Sequence, residues 1–218
     1  MRRSTPLLIG AALALAACDD GDSPAPPAPE RTPAAFIEWA EETPAFPETG
    51  PFHLFAAWAD PASGDLWVVG DGPAILRRTA EGVWTHTPRP DGSDGALRAI
   101  SGRPSGPIVA AGDGGEALVL REGSWERSLA GAQDLSAALV TEDGSAYVAG
   151  RDGELHMRPP GGAQWVDQDL RRVDHIRALA HAGGELWALG QFGVALRRTA
   201  NDDGVATWEP TDTDTSRP

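Results

Sequence analysis

The chain has 218 residues, with 26 Gly, 19 Pro, eight Trp, one Tyr and one Cys. That length holds one ordinary domain with appendages, and the Gly and Pro content is turn-rich without being that of a wholly disordered chain. A net charge of −14, with all 18 basic residues Arg, argues against nucleic acid as a partner, and a lone Cys can form neither an internal disulfide nor a cysteine zinc site.

Residues 1–17 read as a signal peptide. Arg2 and Arg3 form a basic start, and Leu7–Ala17 (LLIGAALALAA) is an apolar run of eleven residues. This is far short of the roughly 20 residues that span a bilayer. The run ends Leu15-Ala16-Ala17-Cys18, which resembles the lipobox of bacterial lipoproteins. The resemblance implies cleavage before Cys18 and acylation of Cys18, so that the protein is held to a lipid bilayer in the bacterial cell envelope. Several acyl chains, at about 0.8 kcal/mol per buried CH₂, make a stable anchor. Asp19 resembles an inner-membrane retention signal of enteric bacteria. Residues 18–34 then carry the lipidated Cys and an acidic, Pro/Ala-rich tether with almost nothing that could form a core. At about 3.1 Å per residue it reaches at most about 50 Å.

The folded domain is expected over 35–210, with a disordered tail over 211–218. Around Trp39 two readings stay open. Trp39 precedes Trp84 by 45 residues and is followed by AEETP, as Trp84 is followed by THTP. Residues 35–45 can thus be an extra Trp strand that closes a ring. Thr32-Pro33 can equally start a short helix over 33–42.

From Leu54 the chain repeats itself. Four units begin LFAAW, LRAIS, LSAAL and IRALA, each continuing with a second strand ending in Gly, a third ending in an apolar-Arg pair, and a Gly-containing turn into a Trp strand. Gly70, Gly112, Gly150 and Gly190 are 42, 38 and 40 residues apart; Trp84, Trp125, Trp165 and Trp208 are 41, 40 and 43 apart. A period near 40 with four short strands per unit predicts an all-β fold, a β-propeller of four-stranded blades. Four blades are recognisable, and a fifth would have to be degenerate. Eight would need two chains. The strand before each Gly is apolar on both faces (Trp67-Val68-Val69, Val109-Ala110-Ala111, Tyr147-Val148-Ala149, Trp187-Ala188-Leu189), as expected where blades stack face to face. The four Trp are expected to be core anchors of their blades. The GDG, RDG and QFG turns are expected to put Gly where a tight hairpin needs positive φ.

The Gly-then-Trp close of each unit (EGVW, EGSW, GGAQW, DGVATW) resembles a degenerate Asp-box of sialidase-type propellers, with Ala80 in place of the acid in the first unit. The whole unit, with WVVGDG, ILRRT and GVW, is similar to the repeat of the photosystem II assembly-factor family and related bacterial propellers, across residues 54–210. The resemblance implies an architecture more than an activity.

Chemistry is sparse. Arg77, Arg121, Arg158 and Arg197 recur once per unit. They would form either an anion-binding ring or structural partners that stack on Trp or pair with acids. Sialidase chemistry needs a tyrosine nucleophile, and the one Tyr, Tyr147, stands in the core slot of Trp67 and Trp187. His53, His86, His156, His175 and His181 show no metal-ligand spacing, and the acidic loops 91–95 and 201–203 do not match a calcium loop. No cofactor and no catalytic residue is expected. The reading is a non-enzymatic binding or scaffold module for a protein or glycan partner. The alternative is a glycosidase-like hydrolase using carboxylates among Asp60, Asp65, Glu142, Asp143 and Glu185, which the repeat sets on one face.

Overall fold

The computed structural model describes residues 40–42, 53–72, 74–170, 174–200 and 206–211. The signal segment, Cys18 and Trp39 lie outside these residues, and so does the tail beyond Thr211. Residues 40–42 carry neither strand nor helix, and the remainder of 33–42 lies outside. The chain divides before Glu42, and every described strand belongs to the unit that begins there.

Sixteen strands form four antiparallel sheets, each built from four strands consecutive in sequence. Blade 1 holds β1 (Leu54–Ala59), β2 (Leu66–Gly70), β3 (Ile75–Arg78) and β4 (Trp84–His86). Blade 2 holds β5 (Leu97–Gly102), β6 (Ile108–Gly112), β7 (Glu116–Arg121) and β8 (Ser124–Leu129). Blade 3 holds β9 (Leu135–Val140), β10 (Ala146–Gly150), β11 (Leu155–Arg158) and β12 (Val166–Asp167). Blade 4 holds β13 (Ile176–Ala182), β14 (Glu185–Gly190), β15 (Ala195–Ala200) and β16 (Ala206–Pro210). The β15–β16 ladder runs one residue further, since the Thr211 amide donates to the Ala195 carbonyl at 2.8 Å.

The core lies between blades. One cluster joins Trp67, Val69 and Ile75 of blade 1 to Leu97, Ile108, Leu118 and Trp125 of blade 2. A second joins Val109, Ala111 and Val119 to Leu135 and Val148. The third joins Tyr147, Ala149 and Leu155 to Ile176, Ala188 and Leu196. Each fully buried Val, Leu or Ile contributes about 1.5–3 kcal/mol. At each of these three junctions the trailing face of one blade meets the leading face of the next. The inner strands β1, β5, β9 and β13 pack successively side by side. Among the described residues that packing is not repeated between blade 4 and blade 1. The four blades follow one another as an arc, and among the described residues its two end blades do not stack on each other as their neighbours do.

The four Trp share one structural position. Trp84, Trp125 and Trp208 face Arg78, Leu120 and Arg198 across their hairpins, and Trp165 packs its ring under the Arg158 guanidinium at 6.0 Å. Trp125 is 7% exposed and fully in the core, whereas the other three are half-buried.

The glycines divide into two kinds, and only one matches the turn expectation. Gly72, Gly114, Gly153 and Gly193 do take positive φ in the turns. The strand-ending anchors do not: Gly112 and Gly150 are extended, with φ −167° and −170°. They are Gly because of close approach. A Cβ on Gly70, Gly112 or Gly150 would run into the carbonyl oxygen of His53, Ala96 or Asp134, just ahead of the inner strand. The same carbonyls accept from the next amide, Asp113 N–H to Ala96 O at 2.9 Å and Arg151 N–H to Asp134 O at 2.9 Å. The repeat's most regular residue thus closes each inner strand onto the next.

Candidate functional site

That closure carries a bulge. In every inner strand one residue is skipped in the pairing register: Phe55, Arg98, Ser136 and Arg177. A bulge leaves its extra residue free to be re-aimed. Three of these four, Arg98, Ser136 and Arg177, line an open cavity of about 530 Å³ at the end where the inner strands begin. The turn between second and third strands of blade 4 adds Phe192, and the residue before β13 adds His175.

Arg98 grips Asp113 through two bonds, at 2.5 and 3.2 Å, and its guanidinium lies 5.4 Å from the Phe55 ring. Asp134 accepts the Gly114 amide at 3.0 Å and the Arg151 guanidinium at 3.2 Å. The amide, and then Arg151, hold its carboxyl below the usual range. Ser136 Oγ stands between His175 Nε2 at 3.0 Å and the Ile176 carbonyl at 2.7 Å. Burial, and then the charge of Arg177, push His175 down, which favours the neutral ring. Arg177 is exposed and has no ion-pair partner among the described residues. Phe192 is 93% exposed and sits at φ +57°, in the left-handed region. A non-Gly residue there costs about 1–2 kcal/mol.

A second cavity, about 340 Å³, opens at the other end and is lined by Glu142, Asp143, Tyr147, His181 and Arg198. Tyr147 is 3% exposed, and burial raises its hydroxyl above the ordinary value. The Arg198 guanidinium lies 5.8 Å from its ring. Asp143 is held by Thr141 Oγ1 at 2.6 Å and by the amide and hydroxyl of Ser145, and is lowered. It caps its own turn.

The arginines of the sequence repeat do not share one position. Arg77 and Arg197 face Trp67 and Trp187, while Arg158 faces Ala146, one residue further and on the other face. Arg121 faces Ser124 at the hairpin end. Each is committed within the fold. Arg77 binds Asp65 at 2.6 Å and Arg197 binds Glu185 at 2.9 Å. Arg158 and Arg121 both donate to the Gly162 carbonyl, at 2.6 and 3.0 Å. The anion ring is therefore replaced by four local struts. These ion pairs also occupy two carboxylates of the hydrolase alternative, and Asp60 caps its turn on Ala62 N at 2.9 Å.

The histidines are dispersed. His53 bonds Asp71 at 2.9 Å, and His156 is buried with Nε2 3.5 Å from Glu154. Among the described residues no three His, Cys, Asp or Glu side chains could hold a metal together. Lipobox residues Leu15, Ala16, Ala17 and Cys18 lie outside the described residues, as does loop 201–203. A signal for the bulges is present in the sequence: every unit opens with an aliphatic residue followed by Phe55, Arg98, Ser136 or Arg177, against an otherwise apolar strand. The repeat pattern alone does not single it out.

Four sequential four-stranded antiparallel sheets, packed face to face with their first strands innermost, define a β-propeller architecture. Solved structures share it, two of them being propellers of one kind. One is YCF48 bound to a D1 peptide, at 18% identity and a TM-score of 0.56, covering 80% of this chain and 60% of that one. The other is YCF48 from Cyanidioschyzon merolae, at 15% identity and a TM-score of 0.51, covering 69% and 57%. The chain thus spans about 60% of the length of those structures. No family model and no curated protein matches it.

Proposed function

We propose that the chain is a membrane-anchored envelope lipoprotein whose propeller binds a protein partner without catalysis, at the cavity opened by the inner-strand bulges. The observation that carries this is Phe192. A large apolar residue is kept 93% exposed, in a backbone conformation that costs energy, beside the exposed cation of Arg177. Strain retained at an exposed position points to function. An aromatic anchor beside an Arg is the composition of a protein-binding hot spot. The YCF48 structure that holds a D1 peptide is a propeller of the same architecture with a protein segment as its ligand. A glycosidase would need one carboxyl pushed up as the acid. Among the described residues every carboxyl with a resolved shift moves down.

The test is cross-linking of the tethered protein in its native envelope. Wild type should capture a macromolecular partner, and Phe192→Gly with Arg177→Glu should not. Capture that is indifferent to both substitutions would reject this face, and a captured glycan would replace the protein reading. The anchor is tested separately: Cys18→Ser should release the protein from the membrane fraction, and unchanged partitioning would refute lipidation.

A further inference from the structure

The arc ends in two faces that the repeat elsewhere buries. On trailing faces, Trp67, Val109 and Tyr147 occupy one slot at 7%, 0% and 3% exposure, and Val69, Ala111 and Ala149 occupy the next at 0%. The same slots in blade 4 hold Trp187, which is only half-buried, and Leu189, which is 40% exposed. On leading faces, Leu97, Leu135 and Ile176 are fully buried, whereas their counterpart Leu54 in blade 1 is 45% exposed.

The interior junctions use two aromatic pairings. Trp67 of a trailing face meets Trp125 of the next leading face edge-on, with centroids 5.7 Å apart. Tyr147 of a trailing face lies under Arg198 of the next leading face. By register, Trp187 is the trailing half of both recipes; Trp84 and Arg78 of blade 1 are the leading halves. Glu42 already orders those two side chains. Its carboxylate bonds the Arg78 guanidinium at 2.6 Å and the Trp84 indole N–H at 2.8 Å. One chain therefore carries both halves of a further junction, on blades that do not stack on each other among the described residues.

We infer that two copies of this chain close a single eight-bladed ring, blade 4 of each copy stacking on blade 1 of the other. Such head-to-tail contacts close when the rotation returns after two copies, and eight blades lies within the range propellers adopt. The partner's chemistry is fixed by the free slots: an apolar sheet face with an Arg and a Trp, which this chain supplies itself. Closure would also bring the bulge residues of both copies around one axis. The inference stands apart from the partner proposed above.

The purified full chain should run as a dimer by light scattering on a sizing column. Trp187→Glu and Trp84→Glu should each give monomers that keep the wild-type far-ultraviolet circular dichroism, which separates lost association from lost folding. Mixing the two variants restores one intact junction and should return dimers, which a symmetric patch-to-patch interface would not do. A wild-type monomer at all soluble concentrations would overturn the inference. So would a dimer that survives both substitutions, or an open series of larger oligomers.

Discussion

Replacing Gly112 with Ala tests the claim that the anchor glycines are there for close approach. A Cβ at this position meets the Ala96 carbonyl oxygen head-on, with the Leu97 Cα only 2.8 Å away. The neighbours are backbone, so no flexible side chain can yield. Forcing an extra methyl into a packed site costs about 1–3 kcal/mol. Moving the Ala96 carbonyl also breaks its 2.9 Å bond from the Asp113 amide, worth about 0.5–1.5 kcal/mol. The expected loss is about 2–4 kcal/mol, read as the shift in urea midpoint multiplied by the m-value. Two controls sharpen it. Gly190→Ala meets its carbonyl, that of His175, at 2.7 Å and should cost less. Gly72→Ala has open space around it at φ +57° and should cost only the left-handed penalty of about 1–2 kcal/mol. A Gly112→Ala protein within about 0.5 kcal/mol of wild type, the ordinary scatter of surface substitutions, would refute the close-approach argument.

The same geometry sets four further outcomes. Trp125→Ala removes a core ring packed edge-on against Trp67 and should cost about 3–5 kcal/mol in urea unfolding; a change near zero would contradict the blade register. Glu116→Gln strips the buried partner of Arg89, whose side chain is 6% exposed, and should destabilise by about 3–5 kcal/mol in the same assay. Phe192→Gly should raise stability by about 1 kcal/mol, because it relieves a left-handed non-Gly residue, while weakening partner capture; equal losses in both would argue against a binding role. The Glu42 carboxyl is lowered from 4.5 to about 2, first by its bond to Arg78 and then by that to Trp84. Because the folded value is depressed, its stabilisation is present above pH 4.5 and is lost as pH falls through about 2. The Trp84 indole N–H resonance should titrate near that lower value, and a midpoint at 4.5 would disprove the contact.

The arginine positions mark the limit of what an aligned repeat makes legible. Arg77 and Arg197 follow their anchor glycines by seven residues, Arg158 by eight and Arg121 by nine. In a strand a one-residue offset turns the side chain to the opposite face, so residues that look equivalent in an aligned repeat need not share a face. The spacing was legible; its consequence needed the hairpin registers. The Trp series survived because the turn before each Trp absorbs its own variable length, leaving the Trp across from the residue eight after each anchor glycine.

The sequence alone determined the repeat, its four-stranded units and the apolar second strand of each. These are local properties of periodicity and turn chemistry, written within about forty residues. Tertiary structure decided the rest, because each depends on residues from different strands or blades meeting. Only there do the anchor glycines press on carbonyls of the inner strands, and only there are Phe55, Arg98, Ser136 and Arg177 set apart as bulges. The free faces at the ends of the arc are of the same kind. A repeat unit carries the same two faces wherever it stands, and whether a face is buried depends on which neighbour comes to lie against it.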